Sequence, residues 1–233
     1  MIYYYDLHIH SVLSPDADTL MTPNNIFNMA NLKGLNILSV TDHNSLKQLP
    51  VLYEISKSYD MLFIPGVEIS VKEGFHVLCY FKHIEDALSF DAFIDTCNHK
   101  QGYDEKTLGR SEITDIYDDV IEIYPYDLTI SLTLSLKQLI LVLKDYDHIL
   151  VYAHVDRKKH SGIEYIDRIP LDAIEVTKHA NEDFYRNNHL ENKIILHNSD
   201  AHQIIDILER EEMNKIELES LTIESFFRFF KHG

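Results

Sequence analysis

The sequence lacks tryptophan and has only two cysteines, and no apolar run is long enough to cross a bilayer. Cys79 and Cys97 are too few for a disulfide framework and do not have the spacing of a zinc knuckle, so we expect ordinary reduced thiols. A membrane-spanning helix needs roughly 20 consecutive apolar residues. The opening MIYYYDLH also lacks the positive region of a secretory signal. We therefore expect a cytoplasmic protein without a membrane partner.

Basic residues are scarce as well. The chain has 21 Lys and Arg against 38 Asp and Glu, which gives a formal net charge of −17. Long nucleic acids and anionic membranes attract proteins through basic surfaces, so neither is an expected partner. Bound divalent cations would offset part of the negative charge.

Histidine, in contrast, is abundant at 14 residues, and the stretch DLHIHS places three polar side chains two residues apart. Alternate residues of a strand point to the same face, so Asp6, His8 and His10 share one face while Leu7 and Ile9 occupy the other. Two imidazoles at this spacing can hold a metal ion, or they can be hydrogen-bonded core histidines.

The 233 residues suit one domain, 1–233, in which strands and helices alternate. Residues 22–34 predict a helix with Thr22 as N-cap and Gly34 as its stop, and further helices are expected over 87–99, over 135–146 and from Thr222. Apolar runs between them predict buried, mostly parallel strands, which fit an α/β barrel. Residues 113–132 alternate like a β-hairpin and form part of an expected insertion at about 100–134.

Nearly every predicted strand ends in histidine, aspartate or glutamate. In a barrel the carboxyl ends of the strands meet at one rim, so these side chains should lie together. Imidazoles and carboxylates without thiolates suit zinc, manganese or iron, and more than six ligands imply two or three ions. The rim positions are His8, His10, His43, Glu68, His76, His154, Asp200 and His202.

Five of these segments in series resemble the motifs of the polymerase and histidinol phosphatase (PHP) superfamily. They are DLHIHS, TDHNS, GVEIS with FHVLCYF, YAHVDR and NSDAH, and they span residues 6–202. The resemblance implies a distorted, seven-stranded β/α barrel that hydrolyses phosphoesters with a two- or three-metal centre. The strongly negative chain favours a small phosphorylated substrate or a short oligonucleotide whose phosphate meets the ions directly, and a metal-activated hydroxide is the expected nucleophile.

The resemblance also implies a division of the ligands. His8, His10, Glu68 and Asp200 would hold the first ion, and Glu68 would bridge to a second ion held by His76 and His154. A third ion would be held by His43 and His202 with one aspartate. Counting forward from His10 favours Asp16 as that aspartate, whereas counting back from Thr22 favours Asp18.

Other residues have both a catalytic and a structural interpretation. Arg157 could grip a phosphate or pair with an acidic neighbour, and His202 or Asp200 could protonate the leaving oxygen. Asp6 and Asp42 could orient imidazoles or end strands. Histidines outside the motifs are expected at the surface, although His179 follows a strand end and could touch substrate. These histidines are His83, His99, His148, His160, His179, His189, His197 and His232.

Two alternatives to a phosphoesterase stay open from the sequence. Amidohydrolase-type barrels also begin with His-x-His and end in aspartate, but they usually place a bridging lysine where this chain has Glu68. A non-catalytic, metal-dependent regulatory module would be expected to lack a ligand, and none is missing.

Overall fold

A computed structural model describes residues 1–231, so His232 lies outside the described residues. Strands and helices alternate along most of the chain, as expected. The strands are β1 (Ile2–Asp6), β2 (Ile37–Leu38), β3 (Leu62–Phe63), β4 (Gly66–Ser70), β5 (His76–Phe81), β6 (Glu112–Thr114), β7 (Val120–Ile123), β8 (His148–Tyr152), β9 (Ala173–Glu175), β10 (Ile195–Leu196) and β11 (Lys215–Glu217). The helices are α1 (Pro23–Leu32), α2 (Leu49–Ser56), α3 (Ile84–Cys97), α4 (Glu105–Leu108), α5 (Leu136–Val142), α6 (Glu182–Asn187) and α7 (Ile223–Lys231).

The strands form two main sheets, with the orders β11-β1-β2-β3 and β10-β9-β8-β5-β4. The expectation of a mostly parallel sheet is wrong around β5, which is antiparallel to both β4 and β8, and at β11, which is antiparallel to β1. Only residues 71–75 separate β4 from β5. A parallel pair needs a crossover of a dozen or more residues, so this short connection forces a hairpin.

Two isolated bridges join the sheets, one at each edge strand of the five-stranded sheet. Ile9, beyond β1, bridges Ala201, beyond β10, and His43, beyond β2, bridges Glu68 in β4. Within residues 1–231 the regular ladders do not close into a barrel. The α/β class is therefore confirmed, while a closed, seven-stranded barrel stays a prediction.

Alternate residues of the central strands pack into two hydrophobic clusters. On β5, Val77 and Cys79 belong to the larger cluster, which includes the helices α1, α2 and α3, whereas Leu78 and Tyr80 belong to the smaller one. The smaller cluster also contains Phe226 of α7. Burial on both faces explains the nearly continuous apolar strand sequences.

Helix α1 ends at Leu32, and Gly34 adopts the predicted left-handed turn with φ 74°. Thr22 is the N-cap residue, as predicted, but its side chain accepts no bond from the helix. Asp118, from the tight turn between β6 and β7, accepts hydrogen bonds from Thr22 Oγ1 at 2.7 Å and from Asn24 N at 3.2 Å. A side chain distant in sequence thus caps α1.

The hairpin of β6 and β7 is shorter than predicted, and both strands lie within residues 112–123. It is anchored by a small separate cluster of Leu13, Ile113, Tyr124 and Leu128. Among residues 1–231, no helix combines the length and the apolar character required to traverse a lipid bilayer.

Candidate metal centre

The predicted ligands converge at one end of the two main sheets around a cavity of about 520 Å³; His76 reaches it from the amino-terminal end of the antiparallel strand β5. His8 and His10 are fully buried. The other predicted ligands line the cavity itself, namely Asp16, His43, Glu68, His76, His154, Asp200 and His202. Arg157, predicted as a catalytic residue, lines the same cavity.

Chain reversals after two strands direct ligands into the site. His154 follows β8 with φ 29°, and Asp200 lies beyond β10 with φ 52°. Non-glycine residues avoid this left-handed region, which costs of order 1–3 kcal/mol, and such strain concentrates at functional sites. The local backbone is thus held in an unfavourable conformation where two of the predicted ligands enter the cavity.

Glu68 lies at the middle of the cluster and is completely buried. Its Oε1 atom is 2.7 Å from His76 Nδ1 and 3.2 Å from His154 Nε2. Its Oε2 atom is 2.7 Å from His43 Nδ1, although neither atom has hydrogen-bond geometry toward any partner. A carboxylate that contacts imidazoles through both oxygens has the arrangement of a bridging ligand.

A second group of ligand atoms joins His8, His10 and Asp200. The Nε2 atoms of the two imidazoles lie 3.2 Å apart. Asp200 Oδ1 is 3.2 Å from the first and 3.1 Å from the second. Three ligand atoms therefore surround one point.

Hydrogen bonds on the far side of each ring orient these imidazoles. His8 Nδ1 donates to the carboxylate of Glu175, at 3.0 Å to the nearer oxygen. His10 Nδ1 donates to Ser14 Oγ at 2.9 Å, because that hydroxyl gives its own proton to Asp42. A neutral imidazole with a proton on Nδ1 has a lone pair on Nε2.

Two Nε2 lone pairs and a carboxylate oxygen facing one another repel unless a positive charge lies between them. Burial disfavours charge on His8, but the carboxylates of Glu175, Asp200 and Glu68 together hold its pKa well above the usual value. Burial, with His202 and His43 nearby, lowers the pKa of His10 to about 3. Without a metal, a proton on His8 supplies the positive charge among these atoms, and a divalent ion that suits imidazole and carboxylate ligands would replace it.

The third group contains His43, His202 and Asp16. Asp16 Oδ2 is 3.4 Å from Nε2 of each imidazole. The Asp18 side chain instead accepts a hydrogen bond from Leu20 N at 2.8 Å. The geometry thus favours Asp16 over Asp18 as the carboxylate of a third site, an assignment that stays a prediction.

Sequence reasoning missed Glu175, which is 2% exposed. Besides His8 Nδ1, its carboxylate accepts hydrogen bonds from His154 N at 2.9 Å and from Asn198 Nδ2 at 2.7 Å. It therefore orients one ligand and the backbone of another. The sequence does contain a feature that could have identified it, because Glu175 is an acidic residue near the end of the mainly apolar stretch LDAIEV.

Asp6 and Asp42 both act through neighbours rather than on imidazoles directly. Asp42 accepts from Ser11 N at 2.7 Å and from the Ser11 and Ser14 hydroxyls. Asp6 accepts from Ser199 N at 3.1 Å and from Leu208 N at 2.9 Å, and burial raises its pKa to about 6. Asp6 therefore holds the segment that carries Asp200.

A short basic loop forms one wall of the cavity. Arg157 pairs through Nη1 with Asp200 Oδ2, the carboxylate oxygen that faces away from His8 and His10. Lys158, Lys159 and His160 follow it along the wall. The His160 ring stacks on His76 with centroids 4.5 Å apart, so this histidine, expected at the surface without a role, lies at the site.

The chain matches the profile of the PHP domain family over residues 6–208. In fold it is similar to the lesion-specific endonuclease Q of Pyrococcus furiosus, with a TM-score of 0.72 and 21% identity over 99% of this chain. This chain spans 56% of that protein's length. Endonuclease Q has also been solved with a 27-mer duplex that carries an abasic lesion at the active site; that structure gives a TM-score of 0.68 and 20% identity over 99% of this chain and 57% of the other.

Two further solved structures share the fold over nearly their whole length. A protein of Bifidobacterium adolescentis described as a metal-dependent phosphoesterase has a TM-score of 0.59 and 17% identity over 97% of this chain and 96% of the other. A protein of Chromobacterium violaceum described as an amidohydrolase, with sulfate bound, has a TM-score of 0.62 and 18% identity over the same shares.

Proposed function

This chain belongs to the PHP domain family, and from that premise we propose that it is a metal-dependent phosphoesterase that hydrolyses a phosphate ester of a small molecule or a short nucleotide. One observation carries the proposal. The Nε2 atoms of His8 and His10 lie 3.2 Å apart beside the buried carboxylates of Glu68 and Asp200. Such a set is stable only around cations.

Nine residues would hold two or three divalent ions, with zinc, manganese or iron as candidates. The first ion would use His8, His10, Glu68 and Asp200, and the second Glu68, His76 and His154. The third would use Asp16, His43 and His202. Bound at these residues, the ions would supply an acidified water as nucleophile and would neutralise charge on the phosphoryl oxygens.

The protein's own groups would bind and orient the ester. The Arg157 guanidinium keeps donors free beyond its bond to Asp200, and these can hold a phosphoryl oxygen. Lys158 and Lys159 add positive charge to the same wall and form no ion pair within residues 1–231. These three cations balance the three carboxylates of the cavity, Asp16, Glu68 and Asp200. Bound divalent ions would therefore leave the cavity positive, which favours an anionic substrate in this chain of net charge −17.

When the third ion is absent, His202 is the proposed proton donor to the leaving oxygen, because a ring nitrogen bound to a metal has no proton to give. It is the most exposed imidazole of the ligand set, with 26% of its side chain accessible. Its Nδ1 donates to the carbonyl of Asp200 at 3.0 Å, which leaves Nε2 directed toward Asp16 and the cavity. Asp200 could serve only if released from its contacts with His8, His10 and Arg157.

The test combines metal analysis with a substrate panel. Purified protein is loaded with Mn²⁺ or Zn²⁺, and its ions are counted before it is assayed on phosphomonoesters, phosphodiesters and short oligonucleotides, including one with an abasic site. We expect at least two ions per chain and a loss of about 100-fold or more in activity for Asp200→Asn. The matched control is His83→Asn, which removes a half-exposed histidine beyond the opposite end of β5 from His76. Undiminished hydrolysis by Asp200→Asn would reject the proposal.

Amide or lactone hydrolysis is the second candidate, since a protein described as an amidohydrolase shares the fold. The central bridging position holds Glu68 rather than lysine, which favours the phosphoesterase. An amide and lactone panel run beside the ester panel separates the two. Full metal loading without turnover of any compound would favour a regulatory module instead.

A further inference from the structure

Asp16 differs from the other two carboxylates of the metal cavity in its support. Glu68 lies within β4 and is fully buried, and only 7% of the Asp200 side chain is accessible. In contrast, 39% of the Asp16 side chain is accessible, and Asp16 belongs to the long loop between β1 and α1. A ligand on a loop keeps its position only if neighbouring groups hold the loop.

The segment of residues 100–134, which we call the insertion, packs against that loop. Glu112 N donates to Val12 O at 2.8 Å, which joins β6 to the loop that carries Asp16. Leu13 is fully buried in the small apolar cluster that Ile113 and Leu128 of the insertion help to form. A backbone hydrogen bond and apolar packing thus fix the first half of the loop to the insertion.

Gly109 approaches the same loop directly beside the ligand. It follows α4 and has φ 92°, a backbone conformation that only glycine adopts readily. A Cβ atom at this position would collide with the carbonyl oxygen of Pro15, far inside van der Waals contact. That oxygen belongs to the peptide group between Pro15 and Asp16. A side chain at position 109 would therefore displace the backbone of the ligand itself.

The later part of the insertion is bound beside a second ligand of the proposed third ion. Asn44 Nδ2 donates to the carbonyl oxygens of Leu128, at 2.7 Å, and Ile130, at 3.1 Å. Asn44 directly follows His43 and has φ 50°, so the backbone there is also in the left-handed region. The insertion therefore contacts the chain next to two of the three ligands in this group.

The ligands of the proposed first ion have other supports. His8 Nδ1 contacts Glu175 at 3.0 Å, and His10 Nδ1 contacts Ser14 Oγ at 2.9 Å. Neither partner belongs to residues 100–134. A disturbance of the insertion should consequently reach the third ion before it reaches the first.

We propose that the insertion controls whether the third metal site is occupied, and that Gly109 is a positioning residue for Asp16. This inference rests on the proposed metal-dependent function and extends it to the regulation of the same site. The third ion binds only while the insertion is docked on the loop between β1 and α1. Substitutions in the insertion should then convert a three-ion centre into a two-ion centre without removing any ligand.

The experiment titrates metal-free protein with Mn²⁺, follows the bound ions by electron paramagnetic resonance and counts them by elemental analysis. Asp16→Asn identifies the binding step that belongs to the third ion, because that step should disappear. Gly109→Ala should weaken the same step about tenfold or more and leave the affinity of the other two ions within about twofold of wild type. Excess Mn²⁺ should restore the third ion in Gly109→Ala.

Two glycines elsewhere provide matched controls. Gly102→Ala adds a methyl group within the insertion, but its Cβ atom would come no nearer than 3.9 Å to Pro125 O. Gly34→Ala adds one at another positive φ, 74°, where it meets the flexible side chain of Arg210. Both variants should bind all three ions as wild type does. The second control separates backbone strain in general from the contact beside Asp16.

Tyr103→Phe disturbs the insertion without a collision, in case Gly109→Ala does not fold. The Tyr103 hydroxyl accepts from Ser111 N at 2.9 Å and donates to Tyr124 O at 3.2 Å. It therefore ties together the two sides of the segment that contains Gly109. Its loss should weaken the third ion about threefold or more and leave the other two unchanged.

Three outcomes would overturn the inference while the phosphoesterase proposal stands. They are an unchanged third ion in Gly109→Ala and Tyr103→Phe, an equal weakening of all ions, and a wild-type protein that binds only two ions and cleaves esters. Selective weakening of the third ion in a protein that hydrolyses no ester would support the inference and reject the proposed reaction.

Discussion

His8 and His10 face each other through Nε2 atoms 3.2 Å apart, and a hydrogen bond at Nδ1 orients each ring from its opposite side. Glu175 provides the bond for His8, and Ser14, itself held by Asp42, provides it for His10. Both buried acids therefore orient imidazoles toward one point, where the proposed first ion would bind.

Removal of divalent metal should destabilise the fold. A ligand that binds only the folded chain stabilises it by about 2.7 kcal/mol at 100 times its Kd. For a chain of this size that corresponds to a rise in Tm of about 5–10 °C. Calorimetry of chelator-stripped protein with and without Mn²⁺ or Zn²⁺ measures the shift. Asp200→Asn should lose most of it and His83→Asn should keep it, whereas an equal shift in all three would contradict the site.

Substitution of Glu175 should weaken metal binding without removing any ligand. Glu175→Ala frees the His8 ring and the His154 amide, and such outer partners are worth about 10–100-fold in metal affinity. Glu175→Gln retains an oxygen acceptor for His8 and should lose less. Competition against a chelating dye gives the affinities, and Glu164→Gln, an exposed acid, is the control. Unchanged affinity in Glu175→Ala would show that the contact does not orient His8.

Asp118→Ala should lower the free energy of unfolding by about 1 kcal/mol, the typical value of a helix cap. The variant removes the acceptor for Thr22 Oγ1 and for two donors of Asn24. Urea unfolding followed by circular dichroism measures the change. The neighbouring exposed Asp119→Ala should be nearly neutral, and equal effects of the two would mean that general charge rather than capping is responsible.

Only one of the two thiols should react with an aromatic disulfide reagent in the native state. Cys79 is fully buried on β5, and burial raises its pKa well above the ordinary value. Cys97, at the end of α3, is partly exposed. We expect one thiol to react promptly and both to react in denaturant. Prompt loss of both native thiols, or an unchanged count in Cys97→Ser, would contradict the packing of β5.

The sequence was informative where chemistry and local pattern coincide. Most predicted ligands lie at or just beyond the end of an apolar run, whereas His76 begins β5, and chain order alone predicted that residues such as His43 and Glu68 meet at one rim. The N-terminus of α5 is also capped by a local pattern, because the Ser135 hydroxyl and Gln138 form a complete capping box.

Contacts between distant segments could not be predicted in the same way. Glu175 reaches His8 across 167 positions and Asp118 reaches Thr22 across 96, and no periodicity records such pairs. The antiparallel course of β5 depended on the short 71–75 turn, which outweighs the burial pattern that suggests parallel strands.

The two isolated bridges between the sheets, Ile9 to Ala201 and His43 to Glu68, lie next to or on the metal ligands themselves. At each of these two junctions a single bridge joins the sheets, where neighbouring strands elsewhere are joined by a full ladder of hydrogen bonds. Cations bound between His10 and Asp200 at one junction, and between His43 and Glu68 at the other, would hold the two sheets together there. The proposed catalytic ions would then also stabilise the contact between the two sheets that supply their ligands.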